Sequence, residues 1–425
     1  LDEYGYPIEV TSSTPSSLIS NLTLNSHGNY PTGEYTLVFN GTGRMQVSGD
    51  AARQEFTNGG IYRFNVSYST RAGVSTAILE SNENDPIRDI QLFMPGYQTV
   101  GSVFNPTFID GLRDFSVFRF MDMQNTNAQN IIHWGVGATP DIASQGWYIV
   151  ITGNVSNVTV VPGGTTFHGA NVARVTTSQD HGLETGQLAS IGAGGSGALV
   201  LTYSENGQTL TRDFSNWPLM IYKIDNQTFD FAIPMWDPQT FVSLAWKPST
   251  WNSSIRPGVS FEYMVDLSNE ANVDPWFNIP HLADDDYIRK MARLILGRPL
   301  DPNDPNSKVH SGLDPDRKVY LEYSNEVWNI YFAQTGYASA MDRLDPATSS
   351  MNEWYTKRSL QIFKIFEEEF GTQKDRLVKV IASQAANSIL YGTAPSRLAA
   401  LSNPAINPFG INVDALAIAP YFAAG

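Results

Sequence analysis

The period of the apolar residues changes three times along this chain, which rules out a fold of one secondary-structure class. Through residues 1–97 apolar and polar side chains alternate. In "GEYTLVFNGTGRMQVSG", Tyr35, Leu37 and Phe39 fall on one face, a Gly-containing turn follows, and Met45 and Val47 continue the pattern. "GGIYRFNVSY" brings Ile61, Phe64 and Val66. Alternation at period two, cut by Gly, Asn and Asp turns, predicts the short strands of an N-terminal β-sandwich. From residue 98 the pattern becomes helix then strand. Phe108, Leu112 and Phe115 form a helical stripe, and Val117 to Met121 a strand that ends at Asp122.

Strand-like sequence returns over 153–246, in "NVARVTTSQDHGLETGQ" and "PLMIYKIDNQTFDFAIP", with no helical stripe. This segment is expected to be a small inserted β domain, with His181 a turn histidine rather than a ligand. Over 247–425 the helix–strand rhythm resumes. A helix over 257–273 places Val259, Tyr263, Met264, Leu267 and Ala271 on one face. "PWFNIPH", "KVYLEYS", "RLVKVIAS" and "VDALAIAPYF" read as strands, with the amphipathic "TSSMNEWYTKRSLQIFKIFEEEF" among the intervening helices. Strands separated by helices are parallel strands joined by right-handed crossovers. The expected architecture is therefore multidomain: a sandwich over 1–97, a (β/α) barrel portion over 98–152 and 247–425, and the insertion.

Composition narrows the class of function. The net charge is −15, with 16% charged residues, so nothing electrostatic draws the chain to nucleic acid or an anionic membrane. No apolar run is long enough for a membrane span. With no cysteine there is neither a disulfide framework nor a thiolate site. Aromatic residues reach 12%, enough for β-rich cores and for faces that stack on sugars. No cofactor or metal motif stands out. Asp284-Asp285-Asp286 reads as the first turn of a helix, where acids suit the macrodipole. Asn-x-Ser/Thr sequons begin at Asn21, Asn40, Asn65, Asn154, Asn157, Asn226 and Asn252, all before residue 255. They are candidate glycosylation sites on exposed β loops of an extracellular or cell-surface protein.

The stretch "VYLEYSNEVWN" carries the chemistry. A buried strand runs straight into Ser324-Asn325-Glu326 at its carboxyl end, where parallel α/β folds place their sites. Glu326 is the candidate general acid/base; the alternative is a cap of the next helix. Asn269-Glu270, late in a helix, reads as a solvated helix end. Trp328, Trp134 and Trp276 offer stacking faces or core packing.

"LEYSNEVWN" resembles the fourth strand of the clan of retaining (β/α)8-barrel glycoside hydrolases, and "MPGY…FRFMD…DPWFNIPHLADDDY" is similar to uncharacterised secreted members with an N-terminal β-sandwich. The resemblance covers about 270 residues. It implies Glu326 as acid/base, with Asn325, Arg119, His281, Tyr421 and Trp134 lining a polysaccharide or oligosaccharide site. The clan's nucleophile, a Glu ending strand seven, has no counterpart before Gly425. The barrel is therefore expected to be incomplete at its C-terminus, with a remainder or self-assembly completing it. The rival expectation is a non-catalytic glycosylated structural subunit of a surface layer or fibre, which reuses such a fold.

Overall fold

The computed structural model describes residues 9–11, 21–23, 30–67, 73–97, 103–135, 144, 149–162, 171–192, 197–215, 217–233, 240–255, 258–329, 331–385 and 396–419. The chain divides into two compact units, 1–111 with 137–141, and the rest.

In the first unit, β1 (Asn21–Thr23), β6 (Val74–Ser81), β3 (Gly43–Gly49) and β4 (Gln54–Thr57) form one antiparallel sheet. A second holds β5 (Gly60–Val66), β2 (Gly33–Asn40) and β7 (Arg88–Phe93). Both contribute to one core, in which Tyr35, Leu37, Phe39, Met45, Val47 and Phe64 are buried. Ile61 does not join them and is 69% exposed. It lies an odd number of residues from Phe64, so the pleat turns it to the other face.

The second unit begins its regular structure with β8 (Val117–Arg119), just after the short helix α1 (Pro106–Leu112) at the unit boundary. Nine antiparallel strands follow. Six of them close a barrel in the order β10 (Val172–Thr177), β15 (Thr228–Ala232), β14 (Leu219–Lys223), β11 (Leu188–Ile191), β17 (Thr250–Ile255) and β9 (Ile149–Val161). The other three, β13 (Gln208–Asp213), β12 (Leu199–Glu205) and β16 (Thr240–Trp246), form a flap whose Leu199, Leu201 and Tyr203 share the barrel core. Trp251 is among the largest side chains buried in that core. Gly153 faces it on β9, and a Cβ there would come within 2.7 Å of the indole nitrogen.

The chain then alternates helix and strand: α2 (Phe261–Ala271), β18 (Asp274–Ile279), α3 (Asp285–Ile295), β19 (Val319–Tyr323), α4 (Ala333–Leu344), α5 (Met351–Phe370), β20 (Leu377–Gln384), α6 (Arg397–Ala400) and β21 (Ala415–Ala419). Its strands form one parallel sheet in the order β21-β20-β19-β18-β8. Asp284 caps α3 by accepting from the Tyr287 amide at 2.7 Å. Val259 lies before the start of α2 and is partly exposed, so the helical stripe begins at Phe261.

These pairings correct the expected fold class. The closed barrel is a small antiparallel six-stranded one, not a (β/α)8 barrel. Among the described residues the parallel strands form an open five-stranded sheet, with β8 and β21 at its edges. A (β/α)8 barrel requires eight parallel strands with the last paired to the first. A helix–strand rhythm specifies parallel pairing but not closure. Among the described residues no helix is long and apolar enough to cross a membrane.

Candidate functional site

The parallel sheet has two different faces. Phe277, Ile279, Leu321 and Tyr323 point to the helix-covered side and are buried, with Phe277 against Phe261 and Tyr323 against Tyr355. Period two turns Trp276, Asn278, Tyr320 and Glu322 to the opposite side. The register sets Asn278 beside Glu322 and Trp276 beside both Tyr320 and Arg119.

A polar network grows from that face. Glu322 is buried, and its Oε2 accepts from Arg119 Nε at 3.0 Å and Nη2 at 2.8 Å, Trp276 Nε1 at 2.9 Å and Asn278 Nδ2 at 3.0 Å. Burial pushes this carboxyl up, and the Arg119 charge and the donors pull against that shift. Arg119 lies over the Trp276 ring at 5.4 Å, and Trp276 stacks on Tyr320. Arg119 Nη2 also donates to Asn325 Oδ1 at 3.0 Å. Asn325 Nδ2 and Gln334 Nε2 both donate to Asn127 Oδ1, at 3.0 and 2.8 Å. Asn278 Oδ1, Ser324 Oγ and Gln334 Oε1 are buried without a hydrogen-bond partner.

The turn after β19 is strained and held at every carbonyl. Ser324 and Glu326 have φ of 57° and 43°, in the left-handed region that costs a non-glycine residue about 1–3 kcal/mol. Ser324 O accepts from Asn278 Nδ2 at 2.6 Å, and Asn325 O from Gln334 Nε2 at 2.7 Å. Glu326 O accepts from the Asn329 amide at 2.8 Å, and Val327 O from Arg397 Nη2 at 3.0 Å. The half-buried Glu326 side chain meets Asn329 Nδ2 at 2.9 Å. Glu326 does not cap a helix: the next one, α4, has Phe332 at its N-cap.

The residues singled out from sequence divide accordingly. Arg119 and Asn325 are bonded to one another, and Glu326 follows on the same turn. His281 lies at the end of β18, but its Nε2 meets Gly186 O of the antiparallel barrel at 3.2 Å and its ring packs on Tyr337. Burial lowers its pKa to about 4, so the ring is neutral. Gly186 has φ +97°, and a Cβ there would strike Tyr337. Trp134 packs on Phe261 and Tyr287, on the helix-covered side and away from Arg119. Trp328 lies 5.6 Å from the Arg397 guanidinium, measured to its ring centre. Tyr421 lies outside the described residues. His181 is buried in the antiparallel barrel, and its Nε2 meets Asp225 O at 2.9 Å.

Sequence reasoning missed Glu322, Asn278, Asn127, Gln334 and Arg397. The one available signal was alternation in "VYLEY", which sets an acid in the middle of a buried strand. Asn40, Asn65, Asn154, Asn157 and Asn226 are exposed and Asn252 is half-buried; the surroundings of the Asn21 side chain are outside what is described. Among the described residues no group of three or more His, Asp or Glu is placed to hold a metal ion.

The sequence matches no family profile and no curated protein. Among solved structures it is similar to the PBSX exported protein XepA at 8% identity, over 58% of this chain and 83% of that one, with a TM-score of 0.16. It is similar to a ferredoxin-NADP+ reductase from Plasmodium falciparum at 13% identity, over 58% and 94%, with a TM-score of 0.17. An oxalate decarboxylase matches at 12% identity, over 58% and 71%, with a TM-score of 0.12. Scores this low carry no argument about fold or function. The resemblance to the clan of retaining (β/α)8-barrel glycoside hydrolases is corrected by the same findings: the chain combines a closed antiparallel barrel with an open parallel sheet, and no comparison gives that clan.

Proposed function

We propose that the carboxyl end of the parallel sheet is a carbohydrate-processing site in which Glu326 delivers a proton to a glycosidic oxygen, which leaves as the alcohol while water bonds to the anomeric carbon. The observation that carries this reading is the turn 324–327. Two non-glycine residues sit in left-handed backbone there, and each of the four carbonyls is held by a separate partner. Strain maintained at such cost belongs where a side chain must be aimed. Glu322 is bound by four N–H contacts and so serves as a positioning residue rather than a nucleophile. We assign the chain an extracellular or cell-surface setting, with glycans on its exposed sequons.

The test is release of reducing ends from a panel of neutral polysaccharides and oligosaccharides. Glu326→Gln is expected to lower turnover on the order of 10²–10⁴-fold, the usual contribution of a positioned general acid. A wild-type protein that cleaves nothing on the panel, or a variant with undiminished turnover, overturns the proposal.

A second reading is supported by the inward closure of the network, in which Arg119 donates to Glu322 and Asn325. It makes the chain a non-catalytic glycosylated subunit of an extracellular layer or fibre. Ordered assembly of an inactive wild-type protein, seen by electron microscopy, would favour it.

A further inference from the structure

Arg397 opens the four-residue α6 and is completely buried. Its guanidinium reaches three elements. Nη1 donates to Ala382 O in β20 at 2.6 Å, Nη2 to Val327 O after the Glu326 turn at 3.0 Å, and Nε to Asn352 Oδ1 in α5 at 3.1 Å. The group lies 3.6 Å from the centre of the Tyr355 ring, whose hydroxyl accepts from the Ala382 amide at 3.0 Å. None of these partners is anionic. Burial lowers the arginine's pKa to about 10, which leaves it charged at neutral pH.

Core packing alone does not explain such a group. A buried cation costs several kcal/mol of desolvation, and apolar side chains of similar volume often fill the same space as stably or better. What an apolar residue cannot do is donate to two strand ends at once. Ala382 O belongs to β20 and Val327 O to the segment leaving β19. A planar fork ties them at fixed spacing, and stacking on Tyr355 fixes the plane of the fork.

We infer that Arg397 is a positioning residue that aims the Glu326 carboxylate by clamping the carbonyl of Val327 to the end of β20. The Ser324 and Asn325 carbonyls are held by side chains of β18 and α4, so Arg397 supplies the only one of the four clamps that comes from β20 and α6. Without it, the downstream side of Glu326 is free to relax out of its left-handed conformation. This inference rests on the reading of Glu326 as proton donor.

The experiment compares Arg397→Lys and Arg397→Met with wild type in the full chain. Hydrogen exchange is followed at the Asn329 and Phe332 amides, which donate within the turn to Glu326 O and Asn329 O. It is also followed in β18 and β19. Turnover and KM are measured on the best oligosaccharide substrate. The expected result is exchange about tenfold faster at the turn with β18 and β19 unchanged. Turnover should fall on the order of 10²-fold with KM held, as for a catalytic group displaced by about 1 Å. Unchanged turn exchange overturns the inference, as does acceleration spread evenly through β18 and β19, which marks a packing role. If the methionine variant does not fold, the lysine variant decides, since it keeps the charge and loses the fork. If wild type cleaves no glycoside, the reading of Glu326 fails, and the exchange measurements still decide the clamp.

Discussion

The antiparallel barrel and the parallel sheet solve the burial problem in opposite ways. The barrel closes on itself and fills with Val175, Ile191, Leu201, Phe229, Phe231 and Trp251, all buried. Its buried carboxylate, Asp230, pairs with Arg174, which stays more than a third exposed. The parallel sheet has β8 and β21 at its edges among the described residues, and it and the segments beside it carry Glu322, Asn278, Asn325 and Arg397 in buried positions. Hydrophobic closure gives stability with little specificity of direction. Buried hydrogen-bonded networks contribute less net stability but fix orientation. A chain that carries both can keep a site under strain because the stability is supplied elsewhere.

The sharpest way to break this contrast is to remove the barrel's centre. Trp251→Ala is expected to cost about 3–5 kcal/mol, the usual penalty for emptying a large aromatic site. The loss should appear as faster hydrogen exchange in β9, β10, β15 and β17. Equal loss of protection in β18 and β19 would mean that the two regions unfold as one.

The corresponding cut in the parallel sheet is Glu322→Ala, which leaves Arg119 without its carboxylate. Breaking a fully buried pair costs about 3–5 kcal/mol. Arg119 is one-third exposed, so water offsets part of that, and about 2–3 kcal/mol is expected by urea denaturation. A cost below about 1 kcal/mol would show that the network stabilises little and serves orientation alone.

His281 joins the two regions through Gly186 O, and its titration measures that junction. Its folded pKa, about 4, lies below the ordinary 6.5, so the unfolded chain binds more protons between those values. Its contribution is therefore complete above pH 6.5 and is lost as pH falls toward 4. The loss amounts to about 3 kcal/mol at 1.36 kcal/mol per pKa unit. Comparing denaturation at pH 7 and pH 4.5 in wild type and His281→Gln isolates the term. Identical pH slopes in the two proteins would place the histidine's charge outside the balance.

The smallest effect is the most diagnostic of strain. Ser324→Gly relieves left-handed backbone and removes a buried hydroxyl without a partner, and should raise stability by about 1 kcal/mol. Under the proposed function, turnover should fall as the turn loosens. A gain in both would argue against a strained, aimed carboxylate.

Local periodicity was legible because it acts within a few residues. Tyr35, Leu37 and Phe39 share a buried face for the same reason that Ile61 does not join Phe64. The acids before Tyr287 could be read as a helix start, and Asp284 is the cap. Closure was not legible. Whether β9 pairs with β10 or β8 with a further parallel strand depends on contacts that no local pattern encodes, and a helix–strand rhythm fits a closed barrel and an open sheet alike. The site was legible at strand ends and obscure elsewhere. Arg119 and Asn325, 206 residues apart, were both placed at strand ends, and they are hydrogen-bonded. Asn127, Gln334 and Arg397 come from segments with no such marker, and they meet the turn through side-chain reach alone. His281 was placed at the right strand end, but the direction of its ring is set by Gly186, from another domain of the sequence.

One pairing has a kinetic meaning. β8 and β18 are neighbours in the sheet, yet the whole antiparallel barrel lies between them in sequence. The barrel's first and last strands are themselves paired, with Ile149 opposite Ile255. A folded barrel therefore delivers its two ends side by side, and the loop that β8 must close to find β18 shrinks by roughly a factor of three. Loop-closure entropy changes by about 0.6 kcal/mol per doubling of length, so the gain is about 1 kcal/mol in the search for that contact. Topology of this kind favours a sequence of events in which the barrel forms first and the parallel sheet nucleates across its exit. During synthesis from the N-terminus, β8 would wait unpaired until the barrel had collapsed and drawn the nascent β18 to its side.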